Sequence, residues 1–356
     1  MLLVLVMAAA LWGIGAASGT PRRLRWGMIA ALWAAVVLAH LLLPAGHGLR
    51  VATGESPALW LLLGGAVAVV LVYRAGLRRL RARAGRGDAV APVRKPLFSE
   101  AELSRYARHI VLREIGGPGQ KALKQARVLV IGAGGLGSPA LLYLAAAGVG
   151  TIGVIDDDAV ENSNLQRQVI HRDADIGLPK VQSAMQAMQA QNPGVVVRPY
   201  QRRLTPEIAD DLFVGYDLIL DGTDNFETRY LANATAVAQG KPLISGALSQ
   251  WEGQLSVFDP ARGAPCYRCI FPEAPASGLA PSCAEAGVLG PLPGVVGAMM
   301  AVEAIKLITG AGQVLRGEML IYDALYGESR RIGLSRRADC PICGGKGESN
   351  GQHVAG

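Results

Sequence analysis

The run Val128-Leu-Val-Ile-Gly-Ala-Gly-Gly-Leu-Gly137 leaves this chain few folds to choose from. Four aliphatic residues read as a strand, and Gly132, Gly134, Gly135 and Gly137 read as a tight turn. Ser138 to Ala147 continues as a helix. A Gly-X-Gly-X-X-Gly turn that follows a strand and opens a helix is the start of a Rossmann-like α/β unit, a mostly parallel sheet with flanking helices. Its glycines let backbone N–H groups close on phosphate, and the helix N-terminus favours negative charge. A second strand, Ile152-Gly-Val-Ile155, ends in Asp156, where a carboxylate meets ribose hydroxyls. These features alone suit a NAD-dependent enzyme as well as any other nucleotide binder. The sequence has no GxxxxGK[ST], which argues against a P-loop ATPase.

The residues that follow shift the balance. Asn164 and Arg167 fall in a loop past the second strand, and Lys180 begins a helix after Gly177-Leu-Pro. Arg and Lys together suit a triphosphate and its leaving pyrophosphate better than a dinucleotide. A third strand, Asp217-Leu-Ile-Leu-Asp221, runs into Gly-Thr-Asp-Asn225, and Asp224 at its end is a candidate Mg²⁺ ligand. Each charge alone reads equally well as half of a surface ion pair. Asp156, Asn164, Arg167, Lys180 and Asp224, all at strand C-terminal ends or in the loops beyond, read together as a site.

Charge divides the chain in two. Residues 1–95 hold 12 of the 35 Lys and Arg but 2 of the 28 acids, a net of +10; the rest carries 23 basic and 26 acidic groups, a net of −3. A nucleic-acid enzyme carries its positive field on the folded domain, so this distribution argues against one. It fits membrane topology instead. Leu2–Ala17, Trp26–Leu43 and Ala58–Tyr73 contain no Asp, Glu, Lys or Arg, and Trp26, Trp60 and Tyr73 suit interfacial anchoring. Arg22, Arg23 and Arg25 fall between the first two runs, and Arg74, Arg78, Arg79, Arg81, Arg83 and Arg86 follow the third. The positive-inside rule places both clusters in the cytoplasm, giving a multi-pass anchor in the inner (plasma) membrane with a cytoplasmic catalytic domain. A signal peptide cut near Ala16-Ala-Ser-Gly19 is the rival reading; it lacks a basic start and would put both Arg clusters outside. His40 reads as a tolerated interfacial residue. The expected organisation is three transmembrane helices over 1–84, a linker over 85–96, a catalytic domain over 97–346 opening at a Ser99 N-cap, and a disordered tail over 347–356.

Of five cysteines, four form the pairs Cys266-Tyr-Arg-Cys269 and Cys340-Pro-Ile-Cys343. Paired CxxC units are a tetrahedral zinc signal. Disulfides and a redox CxxC are the competing readings; a cytoplasmic location disfavours the first, and neither pair follows a thioredoxin-like strand. Cys283 lies in Pro-, Gly- and Ala-rich sequence, Phe271 to Pro293, that reads as a mobile loop.

Together these motifs resemble the adenylyltransferases that activate small ubiquitin-like sulfur carriers, the ThiF/MoeB/HesA type, related to ubiquitin-activating enzymes. The resemblance covers residues 105–343 and rests on Arg105-Tyr-Ala-Arg-His-Ile-Val-Leu112, the Gly132–Gly137 turn, Asn164-Leu-Gln-Arg167, Gly177-Leu-Pro-Lys180, Asp221-Gly-Thr-Asp-Asn225, Glu252-Gly-Gln254, both CxxC pairs and Cys283-Ala-Glu-Ala-Gly-Val288. It implies ATP as substrate, with Asp156 on the ribose, Asn164, Arg167 and Lys180 on the phosphates, and Asp224 organising Mg²⁺. It implies a structural Zn²⁺ on Cys266, Cys269, Cys340 and Cys343, and a catalytic role for Cys283 as the acceptor of carrier or sulfur, unless that thiol is a spectator. Arg108 matches an arginine that reaches the triphosphate across a dimer interface, which implies a homodimer. The implied partners are a β-grasp carrier ending in Gly-Gly and a separate sulfur donor, a rhodanese or a cysteine desulfurase, since the sequence stops at Gly356 without room for a rhodanese domain. The wording of the Arg105 and Cys283 motifs leans toward the molybdopterin branch over the thiamine branch. A membrane-attached NAD(P)-dependent oxidoreductase, a tRNA-modifying or peptide-modifying relative, and a non-enzymatic docking subunit are the alternatives.

Overall fold

A computed structural model describes residues 2–54, 56–84, 97–275 and 286–345. The chain divides into two compact units, Met1–Lys95 and Pro96–Gly356.

The first unit is helical: α1 (Leu2–Ala17), α2 (Arg22–Leu42), α3 (Gly48–Thr53) and α4 (Ala58–Ala84). By length and composition α2 and the Ala58–Leu80 part of α4 are sufficient to cross a membrane, whereas α1 is shorter. At 1.5 Å per residue its 16 residues reach about 24 Å, less than a hydrocarbon core of roughly 30 Å. Leu62, Val69 and Val72 on α4 lie outward, while Val4, Val36 and Trp60 form a small core. His40 is buried, with Nε2 2.9 Å from Thr53 Oγ1, because α3 folds back against α2.

The second unit opens with α5 (Glu100–Ile110), whose start is the expected cap: Ser99 Oγ accepts Glu102 N–H at 3.2 Å and Glu102 Oε2 accepts Ser99 N–H at 3.0 Å. After α6 (Gly116–Gln125) come β1 (Arg127–Ile131), α7 (Gly137–Ala147), β2 (Thr151–Ile155), α8 (Lys180–Gln191), β3 (Val196–Tyr200), α9 (Pro206–Val214), β4 (Leu218–Asp221), α10 (Phe226–Ala238), β5 (Leu243–Leu248) and β6 (Glu252–Phe258). The unit is completed by α11 (Tyr267–Ile270), α12 (Pro291–Thr309), β7 (Glu318–Asp323) and β8 (Glu328–Gly333). The expected third strand is thus β4; β3, with its mixed Val-Val-Arg-Pro-Tyr sequence, carries too weak a pattern to read.

The eight strands form one sheet in the order β3-β2-β1-β4-β5-β6-β7-β8. Pairings from β3 to β5 are parallel, and those of β5–β6, β6–β7 and β7–β8 are antiparallel. The apolar run of β1 is continuous because both faces of the sheet are covered: Val128 and Val130 join one core with Leu141, Leu144 and Met300, and Leu129 and Ile131 join the other with Phe213 and Ala232. Each such side chain contributes about 1.5–3 kcal/mol on burial.

Helix α12 begins within the stretch, Phe271 to Pro293, that reads as a loop in sequence. Pro291 and Pro293 belong to its first turn, where no N–H partner is lost, so they are not part of a loop. Met300 is fully buried, which makes α12 a core helix against α7, β5 and β6. The linker expected over 85–96, the tail over 347–356 and Cys283 lie outside the described residues.

Candidate functional site

The chain runs β1, β2, β3 outward on one side and returns to β4 on the other side of β1, so adjacent loops diverge at the C-terminal ends of β1 and β4. Such a switch point leaves a crevice. Here it is a cavity of about 620 Å³ walled by the glycine turn, Asp156–Asp158, Asn164, Arg167, Gln168, Lys180 and the Gly222–Asn225 loop.

The glycines are needed for steric reasons. Gly132 has φ +92°, left-handed backbone that costs a side chain strain, and a Cβ on Gly137 would overlap the Gly132 carbonyl. A Cβ added at Gly134, which lines the cavity, would meet Gln168 Nε2 at 3.8 Å, an ordinary contact. The turn therefore offers backbone to the cavity and excludes side chains from it.

Asp156, at the end of β2, accepts Ala133 N–H on Oδ2 at 2.7 Å and Asp158 N–H on Oδ1 at 2.9 Å. It braces the turn and still has lone pairs for a ribose. Burial raises its pKa, against the two N–H bonds that lower it. Asn164 is buried; its Oδ1 accepts Glu161 N–H at 3.1 Å and its Nδ2 donates to Ser163 Oγ at 3.5 Å, which leaves one amide hydrogen for a ligand. Arg167 is half-buried and donates to Ser163 O at 3.0 Å. Lys180 lies on the first turn of α8 with its side chain 7% exposed, 2.6 Å from the carboxylate of Asp158, which is 64% exposed. A buried ammonium facing an exposed acid is a cation that an incoming phosphate can share or take over.

Two acids at the end of β4 have opposite fates. Asp221 is fully buried and accepts Thr223 N–H at 3.1 Å, Thr223 Oγ1 at 2.6 Å and Ser245 Oγ at 3.1 Å, so it holds the loop together. Asp224 is exposed on the cavity wall, and Asn225 next to it caps α10 through Thr228 N–H at 2.9 Å. An exposed carboxylate on the wall of such a cavity matches the way Mg²⁺ is held beside a nucleotide, by one or two carboxylates plus substrate oxygens.

Sequence reasoning missed Gln168, Arg202, Arg203 and Arg229, all on the cavity wall. The signal for Gln168 was its place after Arg167. Arg229 is one turn into α10 and 5% exposed; it donates to Ser245 Oγ at 3.1 Å, to Gly246 O at 2.8 Å and to Thr223 O, with Asp221 Oδ2 3.8 Å away. Nothing in a linear pattern marks an arginine as buried. Arg108, by contrast, lies on an exposed face of α5 and is not part of the cavity wall of its own chain. Cys283 is among the residues not described.

The two CxxC pairs, 74 residues apart in sequence, meet. Cys266 caps α11 and Cys269 lies within it, while Cys340 and Cys343 are on the turn after β8. All four are buried, and their sulfurs lie within 4.8 Å of one another. The separations are 3.9 Å for Cys266–Cys269, 3.6 Å for Cys266–Cys340 and 3.3 Å for Cys269–Cys343. Four thiolates about 2.3 Å from one zinc would be roughly 3.8 Å apart, so the set fits a tetrahedral ion. Burial raises the Cys340 thiol, yet the N–H groups of Cys343 and Ile342 outweigh it and bring it down to about 7.

Solved structures share this fold. PaaA aligns with a TM-score of 0.60 at 23% identity, covering 86% of this chain and 90% of that one. The E. coli MccB complex with AMPCPP and MccA aligns with a TM-score of 0.60 at 22% identity, covering 68% and 74%. Sequence relatives are nearer. A probable adenylyltransferase/sulfurtransferase MoeZ of Mycobacterium tuberculosis is 55% identical over 247 residues, 68% of this chain and 63% of that protein. The chain thus spans less than two thirds of MoeZ. A sulfur carrier protein adenylyltransferase of Thermus thermophilus is 50% identical over 251 residues, 69% of this chain and 93% of that protein. The SAMP-activating enzyme E1 of Haloferax volcanii is 48% identical over 243 residues. The ThiF family model matches residues 106–342, which hold the glycine turn, Arg167, Lys180, Asp224 and three of the four clustered cysteines, and the chain belongs to the ThiF family.

Proposed function

We propose that the Pro96–Gly356 unit adenylates the C-terminal glycine of a small ubiquitin-like sulfur carrier. The observation that carries this is the convergence of Arg167, Lys180 and Asp224 on a cavity floored by a bare glycine turn. Two cations and a carboxylate around one phosphate region suit a triphosphate with Mg²⁺ better than a dinucleotide. The carrier's Gly-Gly tail enters the cavity and its carboxylate oxygen attacks the α-phosphate of ATP. The new O–P bond forms as the bond to the β-phosphate oxygen breaks, and pyrophosphate leaves. A carboxylate is already ionised at pH 7, so no general base is needed. Arg167 and Lys180 neutralise charge on the triphosphate, the turn's N–H groups orient it, and Asp156 fixes the ribose. Asp224 would hold Mg²⁺, which supplies further charge neutralisation at the phosphates when bound.

Cys266, Cys269, Cys340 and Cys343 would hold a structural zinc that ties the segment after β8 to α11. In a homodimer Arg108 would serve the neighbouring subunit's triphosphate, and its absence from its own cavity supports that reading. The adenylate would go on to accept sulfur from a donor protein, with Cys283 a candidate intermediate carrier. The names of the relatives favour a sulfur carrier as substrate, and the sequence motifs favour the molybdopterin branch. Helices α2 and α4, with α1, would anchor the chain in the plasma membrane; Arg22, Arg23 and Arg25 and the Arg74–Arg79 group would keep the catalytic unit cytoplasmic.

ATP–pyrophosphate exchange by the full chain in detergent, with and without each Gly-Gly carrier of the same genome, tests the activity. Exchange that depends on one carrier supports the reading and names the pathway. No exchange with any carrier, together with NAD(P)H binding, refutes it.

A further inference from the structure

We propose that His171 is a positioning residue for the nucleotide's phosphates, acting through the Ala133–Gly134 peptide; this rests on the nucleotide reading of the cavity. His171 is 6% exposed and stands behind the glycine turn, outside the cavity wall. Its Nε2 is 3.0 Å from Ala133 O, and its Nδ1 is 2.8 Å from Ser183 Oγ on α8. Ser183 Oγ is in turn 2.7 Å from Asp175 Oδ2. The N–H of Ala133 is held from its other side by Asp156 Oδ2 at 2.7 Å. Residue 133 is therefore clamped at both its donor and its acceptor.

The consequence follows from peptide geometry. All described peptides are trans, so the carbonyl of Ala133 and the N–H of Gly134 point in opposite directions across one rigid plane. Tying the carbonyl back to His171, outside the cavity wall, turns the Gly134 N–H the other way, to the side on which Gly134 lines the cavity. That N–H is the first donor of the turn that a phosphate would meet.

The clamp also selects a tautomer. A carbonyl oxygen only accepts, so Nε2 must carry hydrogen to bond it. With the proton on Nδ1 instead, the Nε2 lone pair would face the lone pairs of Ala133 O at 3.0 Å. The Ser183 hydroxyl has one hydrogen for two acceptors: with a neutral Nε2–H ring it donates to Nδ1, and Asp175 Oδ2 keeps only the Arg172 N–H. The charged groups facing His171 are Asp175 and Lys180; burial first, then Lys180, favour the neutral ring, against Asp175 and the Ala133 bond.

The test uses the full chain in detergent with His171→Phe and His171→Gln. Isothermal titration measures binding of ATP and of adenosine. His171→Phe should weaken ATP about tenfold, the scale of one hydrogen bond to a charged group, with adenosine affinity unchanged. His171→Gln, which can both donate and accept, should recover most of the loss. Equal weakening of both ligands, unchanged ATP affinity, or absence of rescue by Gln overturns the proposal. ¹⁵N NMR of the imidazole in the unsubstituted chain should show the Nε2–H tautomer, and Nδ1–H would overturn the proposal even if a variant misfolds. Failure of the unsubstituted chain to bind ATP removes the nucleotide reading itself, and this inference with it.

Discussion

Replacing Arg229 by Met tests how the loop that carries Asp224 is held. Arg229 is 5% exposed and Asp221 is fully buried. The two are linked through Ser245, whose hydroxyl donates to Asp221 Oδ2 at 3.1 Å while accepting from Arg229 Nη1 at 3.1 Å. Arg229 also satisfies the carbonyls of Thr223 and Gly246. Methionine fills most of the stem's volume but donates nothing, so two carbonyls and a buried carboxylate lose their cation. Breaking a buried pair costs about 3–5 kcal/mol. Asp221 keeps the Thr223 and Ser245 donors, which places the expected loss near the lower figure. For a unit of this size about 3 kcal/mol corresponds to a fall in Tm of roughly 6–12 °C. Scanning calorimetry of the full chain in detergent measures it. Asp221→Asn added to Arg229→Met removes the stranded charge, so the double variant should be more stable than the sum of the two single changes predicts. A Tm fall under about 2 °C for Arg229→Met, or strict additivity in the double variant, would refute the argument that this pair is coupled and buried.

Other expectations follow from the same geometry. Arg167→Ala and Asp224→Ala should each lower carrier-dependent pyrophosphate exchange by at least about 100-fold at an unchanged Tm, because both residues face the cavity; near-normal exchange in both would remove them from the mechanism. Purified protein should hold one zinc per chain by elemental analysis, and Cys340→Ser should lose the metal and several degrees of Tm; a metal-free protein of normal stability would exclude the structural zinc. The folded pKa of His171 lies below its ordinary value of 6.5, chiefly through burial, so the unfolded chain takes up this proton first as pH falls. The stability from the neutral ring is therefore full above 6.5 and is lost as pH drops through the folded value, a slope that denaturant titrations should find reduced in His171→Phe.

Much of the fold was legible because local sequence and global structure agree in its first half. The apolar run of β1, the glycine turn, α7, β2 and the Ser99 cap obey short-range rules and appear where the pattern puts them. Elements whose identity depends on neighbours were not legible. Strand β3 is exposed on alternate residues and carries Pro199; its place is fixed by pairing with β2. In α12 two prolines read as loop until the core behind them makes a helix of them. The same division runs through the site. Gly132, Asp156 and Asp224 stand at or just past strand ends, Arg167 between β2 and α8, and Lys180 at the start of α8, which sequence order locates. Arg229 and His171 act through burial, and burial is a property of what packs around a residue.

The sequence alone determined that the chain has an apolar, basic first part, a nucleotide-type turn after β1, and two thiolate pairs able to share a metal. These are properties of composition and short spacing, and they survive in any conformation. Only the tertiary structure decided that Asp221 is a buried brace while Asp224 faces the cavity, and that cysteines 74 residues apart lie within 4 Å. It also decided that Asp156 and His171 grip one residue of the glycine turn from opposite sides. The physical reason is that such roles depend on distance and desolvation, and both arise only when strands far apart in the chain are laid side by side in one sheet.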